Sequence, residues 1–272
     1  MTSVRHVALH DMPRPLCSDV MLALCRSMLR PHTGRALYCS VQHSSATYLQ
    51  SFILHNTEVV TDHLTPEIRL HLLTPRCKYW HLRPEHWPYA EPYWAIYWPG
   101  GQALARYLLD NPDVVRRRSL LDLGSGCGAV SIAAKMKGAS RVVANDIDPV
   151  AGAALGLNCQ LNGIEDFPFN PENMIGGETG CWDLIVLGDM FYDEELSHSL
   201  HRWLRRCMEQ HGTVVLIGDP GRGHFLGHPI QKQLRKVAEY SLTDSTKQEN
   251  YGLSTSAVWK YEPEWHDLHT VM

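Results

Sequence analysis

Asp122, Asp146 and Asp189 each stand at the end of a short apolar run, where a strand-ending carboxylate can reach a ligand. Around the first, Leu120–Gly128 places glycines at the alternate positions 124, 126 and 128, directly ahead of a helical stretch. Glycine there admits φ > 0 and removes the Cβ that would hold a ligand off the backbone. Twenty residues beyond Gly126, Asn145-Asp146-Ile147-Asp148 supplies a carboxylate able to accept both hydroxyls of a ribose. That pair suits any adenosine-bearing cofactor, S-adenosylmethionine and NAD alike. Two details favour S-adenosylmethionine: the glycines run GxGxG and not GxGxxG, and Asp122 occupies a position that nicotinamide-binding folds usually keep apolar. The candidate cofactor residues are therefore Asp122, Gly124, Ser125, Gly126 and Asp146.

The third acid lies in Leu187-Gly188-Asp189-Met190-Phe191-Tyr192. Asp189 can accept hydrogen bonds from an incoming amine, and Tyr192 can wall the approach, so these two are the candidate catalytic residues. Methyl transfer is an in-line displacement at carbon, in which a protein mainly aligns the nucleophile and excludes water. A lysine amine, with an ordinary pKa of about 10.4, must arrive neutral. Aromatic walls lower that pKa whereas a carboxylate raises it, which makes Asp189 a group that orients the amine rather than one that strips its proton. As a cap for residues 190 onward Asp189 is outcompeted by Asp193. Asp219, followed by Pro220-Gly221, reads as a turn former.

These positions require an α/β scaffold, and from Arg118 onward apolar runs alternate with amphipathic stretches as in a doubly wound, mostly parallel sheet. Strands are expected at Ser119–Leu123, Arg141–Asp146, Trp182–Asp189, Thr213–Asp219 and Ser254–Tyr261. Helices are expected at Ala129–Lys137, Pro149–Asn162, Asp193–Cys207 and Pro229–Tyr240. Residues 163–180 are rich in Gly and Pro and hide any further strand, and with it the adenine contacts. Ahead of the sheet, Tyr79–Trp98 carries eight Tyr and Trp residues and three prolines. Rings at this density form a packing cap, a cation cage or a stacking platform. Trp98, beside Pro99-Gly100-Gly101, is the candidate for contact with the cofactor. The chain divides into 1–50, 51–110 as an aromatic-rich cap, and 111–272 as the cofactor-binding core.

Residues 1–50 hold five Arg, no Lys and only Asp11 and Asp19, a net of +3, while the remainder carries −7. Leu16, Val20, Leu24 and Met28 share one helical face within this basic, acid-poor segment, the pattern of a mitochondrial presequence, with a disordered N-terminus and a cytoplasmic protein as the alternative. An acidic body opposes general affinity for nucleic acid phosphates. No apolar run approaches the roughly 20 residues of a membrane helix. The eight cysteines form no CxxC pair and the sixteen histidines no HExxH motif, so no metal is expected. On the residues alone other readings stand beside methyl transfer to a protein: a noncatalytic S-adenosylmethionine-binding module, a methyltransferase for a nucleic-acid amine, and a nicotinamide-dependent oxidoreductase.

The stretches PYWAIYWPGGQALARYLL at 92–109, LDLGSGCGA at 121–129, NDIDP at 145–149, LGDMFYDEEL at 187–196 and VLIGDPGR at 215–222 together resemble the electron transfer flavoprotein β-subunit lysine methyltransferases. These form a mitochondrial group of the seven-β-strand, S-adenosylmethionine-dependent family with an Asp-x-x-Tyr type motif, and the resemblance covers about residues 56–262. It implies a Rossmann-like, seven-stranded sheet, S-adenosylmethionine as cofactor and a place in the mitochondrial matrix; a monomer that binds neither membrane nor nucleic acid is expected. It further implies Gly124, Ser125 and Gly126 against the methionine moiety, Asp146 on the ribose and Trp98 near the cofactor entrance. Gly188 would lie beside the adenosine or methyl end, and Asp189 with Tyr192 at the substrate lysine. The implied reaction is methylation, up to trimethylation, of lysines near the recognition loop of the flavoprotein β subunit, weakening its exchange with dehydrogenases.

Overall fold

The computed structural model describes residues 42–83, 86–89, 91–250 and 252–263. The arginines of the expected targeting segment lie outside the described residues. Helix α1 (Gln42–Asn56) runs across the boundary expected at residue 50. It does so because Ile53 is fully buried, and Leu49 and Phe52 pack beside it against an apolar cluster. A small antiparallel hairpin, β1 (Glu58–Val60) with β2 (Leu70–Leu72), follows. The aromatic segment then folds through 3-10 turns at Lys78–His81 and Tyr93–Ala95 into helix α2 (Pro99–Asp110).

The principal sheet is built from β3 (Ser119–Leu123), β4 (Arg141–Asn145), β5 (Phe169–Asn170), β6 (Leu184–Gly188), β7 (Val214–Asp219), β8 (Leu234–Ser241) and β9 (Thr255–Tyr261). Their spatial order is β5-β4-β3-β6-β7-β9-β8. The first five are parallel to one another, and β9 is antiparallel to both β7 and β8. This is the expected doubly wound, mostly parallel, seven-stranded architecture. Helices α3 (Ala129–Met136), α4 (Pro149–Leu161) and α5 (Glu194–His211) make the crossovers. Strand order reverses between β3 and β6, which opens a crevice at their carboxyl ends.

Period-two alternation sends successive strand residues to opposite faces. Leu184 and Val186 join α2 and α3 in one core, while Ile185 and Leu187 join Leu200, Trp203, Leu204 and Cys207 of α5 in the other. Helix α2 thus belongs to the sheet's own core, and the division expected at residue 110 does not hold. The reason is its buried stripe of Ala103, Leu104, Ala105, Leu108 and Leu109. Most of the aromatic segment is the packing cap: Tyr79, Trp80, Trp87 and Tyr89 cluster with Phe52 of α1 and buried residues of α4.

One expected element has the wrong type. Pro229–Tyr240 is a 3-10 turn at Pro229–Gln233 followed by β8, not a helix. A β-bulge between Lys236 and Ala238 inserts one residue into the strand. The half-buried positions therefore fall at 234, 237, 238 and 240, close to the i, i+3, i+4 spacing of a helix.

Candidate active site

The glycine turn after β3 is held from three sides. Ser125 donates its N–H to Asn145 O at 2.9 Å, and Gly128 donates to Ser125 O at 2.8 Å. From α4, the buried Asn158 side chain donates to Cys127 O and accepts the His71 N–H, tying the turn to the hairpin. Gly124 and Gly126 have φ of 69° and 51°. A Cβ on Gly124 would lie 2.4 Å from Met190 Sδ, so the loop after β6 reaches across the crevice to the glycine turn.

Trp98, Asp122, Gly124, Ser125, Gly126 and Gly188 line one cavity together with Ile96, Tyr97, Gly101, Cys127, Ala129 and Val130. Asp146 adjoins it: one carboxylate oxygen accepts the Gly126 N–H at 2.9 Å, the other the Asp148 N–H at 3.0 Å. Asp148 also caps α4 through the Val150 N–H, and Asp193 caps α5 through the Leu196 N–H. Asp122 points one oxygen at the N-terminus of α3, accepting from Ser131 N–H and Oγ at 3.0 and 2.7 Å. Burial pushes its pKa up to about 7 against these bonds.

Asp189 occupies an unexpected place. It is buried, adopts φ of 57°, and accepts the N–H groups of Gly100 and Gly101 on Oδ2 at 2.5 and 3.2 Å. It therefore caps the N-terminus of α2 across the fold, where the chain's own Ncap, Trp98, has no side-chain oxygen to offer. Its Oδ1 accepts from Arg222 Nε and Nη2 at 3.1 and 2.9 Å. Burial raises its pKa, opposed by Arg222 and by the two backbone donors. The Arg222 guanidinium also sits 5.3 Å from the centre of the Trp98 ring. Phe191 anchors the segment by packing against Phe225 and His228, and Tyr192 is half-buried in the bend beyond.

Comparison with known proteins places this arrangement in a family. The chain is 64% identical over 222 residues to the electron transfer flavoprotein beta subunit lysine methyltransferase of Xenopus laevis, covering 82% of this chain and 90% of that one. The Homo sapiens protein of the same name is 62% identical, covering 79% of this chain and 82% of that one.

The chain belongs to the electron transfer flavoprotein beta subunit lysine methyltransferase family.

The Caenorhabditis elegans homolog of that family is 36% identical, covering 77% of this chain and 94% of its own. Residues 103–187 also match the family described as ribosomal protein L11 methyltransferase (PrmA). A solved ribosomal protein L11 methylase from Lactobacillus delbrueckii subsp. bulgaricus aligns at 20% identity and a TM-score of 0.44, covering 60% of this chain and 80% of that one. As a member of the family, this protein is an S-adenosylmethionine-dependent methyltransferase. The cavity fits that cofactor: Ser125 Oγ is buried without a hydrogen-bond partner among the described residues, and the left-handed Gly124 and Gly126 add no side chain of their own to its floor.

Of the residues expected from sequence, Trp98, Asp122, Gly124, Ser125, Gly126 and Gly188 come together in the cavity, with Asp146 at its edge. Asp189 and Tyr192 follow Gly188 and are not part of the lining. Sequence reasoning missed Gly100, Gly101, Met190 and Arg222. One signal was present: Trp98-Pro99-Gly100-Gly101 starts a helix with no Ser, Thr, Asp or Asn to cap it, so the cap had to come from elsewhere. Asp219 forms the anticipated turn, accepting the Gly221 and Arg222 N–H groups on Oδ1 at 2.7 and 2.9 Å. Among the described residues, no group of three or more His, Cys, Asp or Glu side chains is arranged to hold a metal ion.

Two measurements probe these carboxylates. Asp146→Ala removes the anchor of the Gly126 N–H together with the carboxylate expected to accept the ribose hydroxyls, and S-adenosylhomocysteine affinity measured by calorimetry should fall by about 1–3 kcal/mol. Asp219 is almost inaccessible and its Oδ2 has no hydrogen-bond partner among the described residues. Burial and then Asp189 push its pKa up to about 7, far above an unfolded aspartate. Its protonated form suits the fold, so its contribution is complete below about pH 4 and is lost as pH rises through 7. Asp219→Asn keeps an oxygen for the turn and removes that titration. In urea unfolding its stability relative to wild type should rise as pH goes from 4 to 8.

Proposed function

We propose that this protein transfers methyl groups, up to three per residue, from S-adenosylmethionine to lysine side chains of the electron transfer flavoprotein β subunit. The identity to named relatives over most of both chains carries this reading. The site is consistent with it. The carboxyl ends of β3 and β4 offer a cradle for an adenosine-bearing cofactor, and the end of β6 offers a buried carboxylate beside an indole, a receptor for a cation.

The cofactor supplies an electrophilic methyl group on a sulfonium. The protein's residues bring the lysine nitrogen into line with it. Asp189 orients the amine through its N–H bonds, while Trp98 and the apolar lining keep water out and favour the neutral amine. Each turnover forms an N–C bond and breaks a C–S bond whose electron pair stays on sulfur, and the ammonium releases its proton to solvent water before attack. Tyr192, at the bend three residues beyond Asp189, walls the approach. The modification tunes the flavoprotein's electron exchange with its dehydrogenases. The basic, acid-poor N-terminus supports action in the mitochondrial matrix, and the acidic body supports a protein substrate over nucleic acid or membrane. We take the acting form to be a monomer.

The test is mass spectrometry of purified flavoprotein after incubation with this protein and deuteromethyl-labelled cofactor. Label on β-subunit lysines, advancing from one to three methyl groups with time, is the expected result. Absence of label with cofactor binding intact would return the substrate to the open question.

A further inference from the structure

Asp189 has no acceptor site left for a substrate. Its Oδ2 takes the backbone N–H groups of Gly100 and Gly101, and its Oδ1 takes two N–H groups of Arg222. Four donors fill the roughly four lone-pair sites of a carboxylate. The two backbone donors are fixed in the first turn of α2. Arg222 can leave. Its side chain is 17% exposed against 6% for Asp189, so it is the partner that faces the outside.

The backbone of Arg222 is held while its side chain extends into the site. Its N–H donates to Asp219 Oδ1 at 2.9 Å, and its carbonyl accepts the Leu226 N–H at 2.9 Å. The guanidinium then lies between a carboxylate and the ring of Trp98, which lines the cofactor cavity. A carboxylate on one side and an indole face on the other define a receptor for one positive charge. Arginine and protonated lysine satisfy the same receptor.

We propose that Arg222 is the resident occupant of the amine site, a place-holding cation that the substrate lysine must displace by side-chain exchange before methyl transfer. The inference rests on the lysine-transfer reading above and adds a determinant of specificity. A lysine that exchanges with Arg222 must bring binding energy from elsewhere on its own protein, because the exchange itself swaps one cation for another. A docked, folded substrate supplies that energy and a free amine does not. The same contact accounts for release. Each methyl replaces an N–H, so a trimethylated nitrogen has none to offer Asp189, and the guanidinium regains its bonds.

The experiment compares wild type with Arg222→Ala, Arg222→Met and Arg222→Lys on two substrates, the folded flavoprotein and N-acetyl-lysine amide, with S-adenosylhomocysteine affinity and melting temperature measured for each. Neutral residues at 222 should raise kcat/KM for the small amine at least tenfold and narrow the preference for the protein. Arg222→Lys, which retains a cation, should keep the wild-type preference. In the cofactor-product complex, millimolar n-butylammonium should raise the melting temperature of the neutral variants and leave wild type unmoved. Parallel loss on both substrates, or an unchanged preference with no ammonium protection, would overturn the proposal. Wild type that leaves the flavoprotein unlabelled would instead remove the lysine-transfer reading, while the n-butylammonium melts would still judge who occupies the niche.

Discussion

Asp189→Ala should leave S-adenosylhomocysteine affinity within a few-fold of wild type and slow methyl transfer by on the order of a hundredfold or more. It should also destabilise the protein, which sequence reasoning about an amine acceptor does not foresee. The substitution strips a mostly buried guanidinium of its partner and uncaps α2. Removing one member of a buried pair typically costs about 3–5 kcal/mol, and losing a cap adds about 1 kcal/mol. Asp189→Asn separates the two roles. Its remaining oxygen can still accept from Gly100 and Gly101, so stability should recover in part, whereas turnover should stay low because the negative charge is gone. Urea unfolding and single-turnover labelling measure the two effects independently. Normal turnover in the alanine variant would remove Asp189 from the chemistry and leave it as the cap of α2.

Adjacent glycines should give opposite results. A Cβ built on Gly100 would lie 2.2 Å from Gly218 O and 2.5 Å from Asp189 Oδ2, both held in the fold, so α2 must lift from the strand ends. On Gly101 the nearest atoms are carbons of the Tyr97 ring at 3.7 and 3.9 Å, ordinary contact. Gly100→Ala should therefore cost about 3 kcal/mol, seen as a fall in melting temperature of about 10 °C. It should also weaken cofactor binding, because Trp98 and Gly101 move with the helix. Gly101→Ala should stay within about 1 kcal/mol of wild type in the same melt. Equal melts for the two variants would contradict the close approach of α2 to β7.

Much of the scaffold was legible because the buried strands are short apolar runs closed by Asp or Gly, and because Asp148, Pro149 and Asp193 mark helix starts in their own local sequence. The turn that lines the cavity was legible for the same reason: Gly124, Gly126 and Asp146 lie within a few residues of a strand end. Residues 163–180 were not, since β5 is a two-residue strand whose neighbourhood is fixed by Asn145 Nδ2 donating to Asn170 O and Glu172 O, a contact no local pattern announces. Strand β8 was misread because its bulge imitates helical spacing. The partners of Asp189 were hidden most deeply. Gly100 and Arg222 lie 89 positions before it and 33 after it, and only the folded sheet brings the three together.

The two margins of the sheet constrain how any partner approaches. On one side β5 is two residues long, and on the other β8 is bulged and carries exposed Arg235, Lys236 and Glu239. Neither margin offers the long, flat row of unpaired backbone groups that an extended peptide needs in order to join as an extra strand. Strand addition at these two margins is therefore disfavoured. A lysine must be delivered head-on, over the carboxyl ends of the strands, by a partner gripped through side chains and loops.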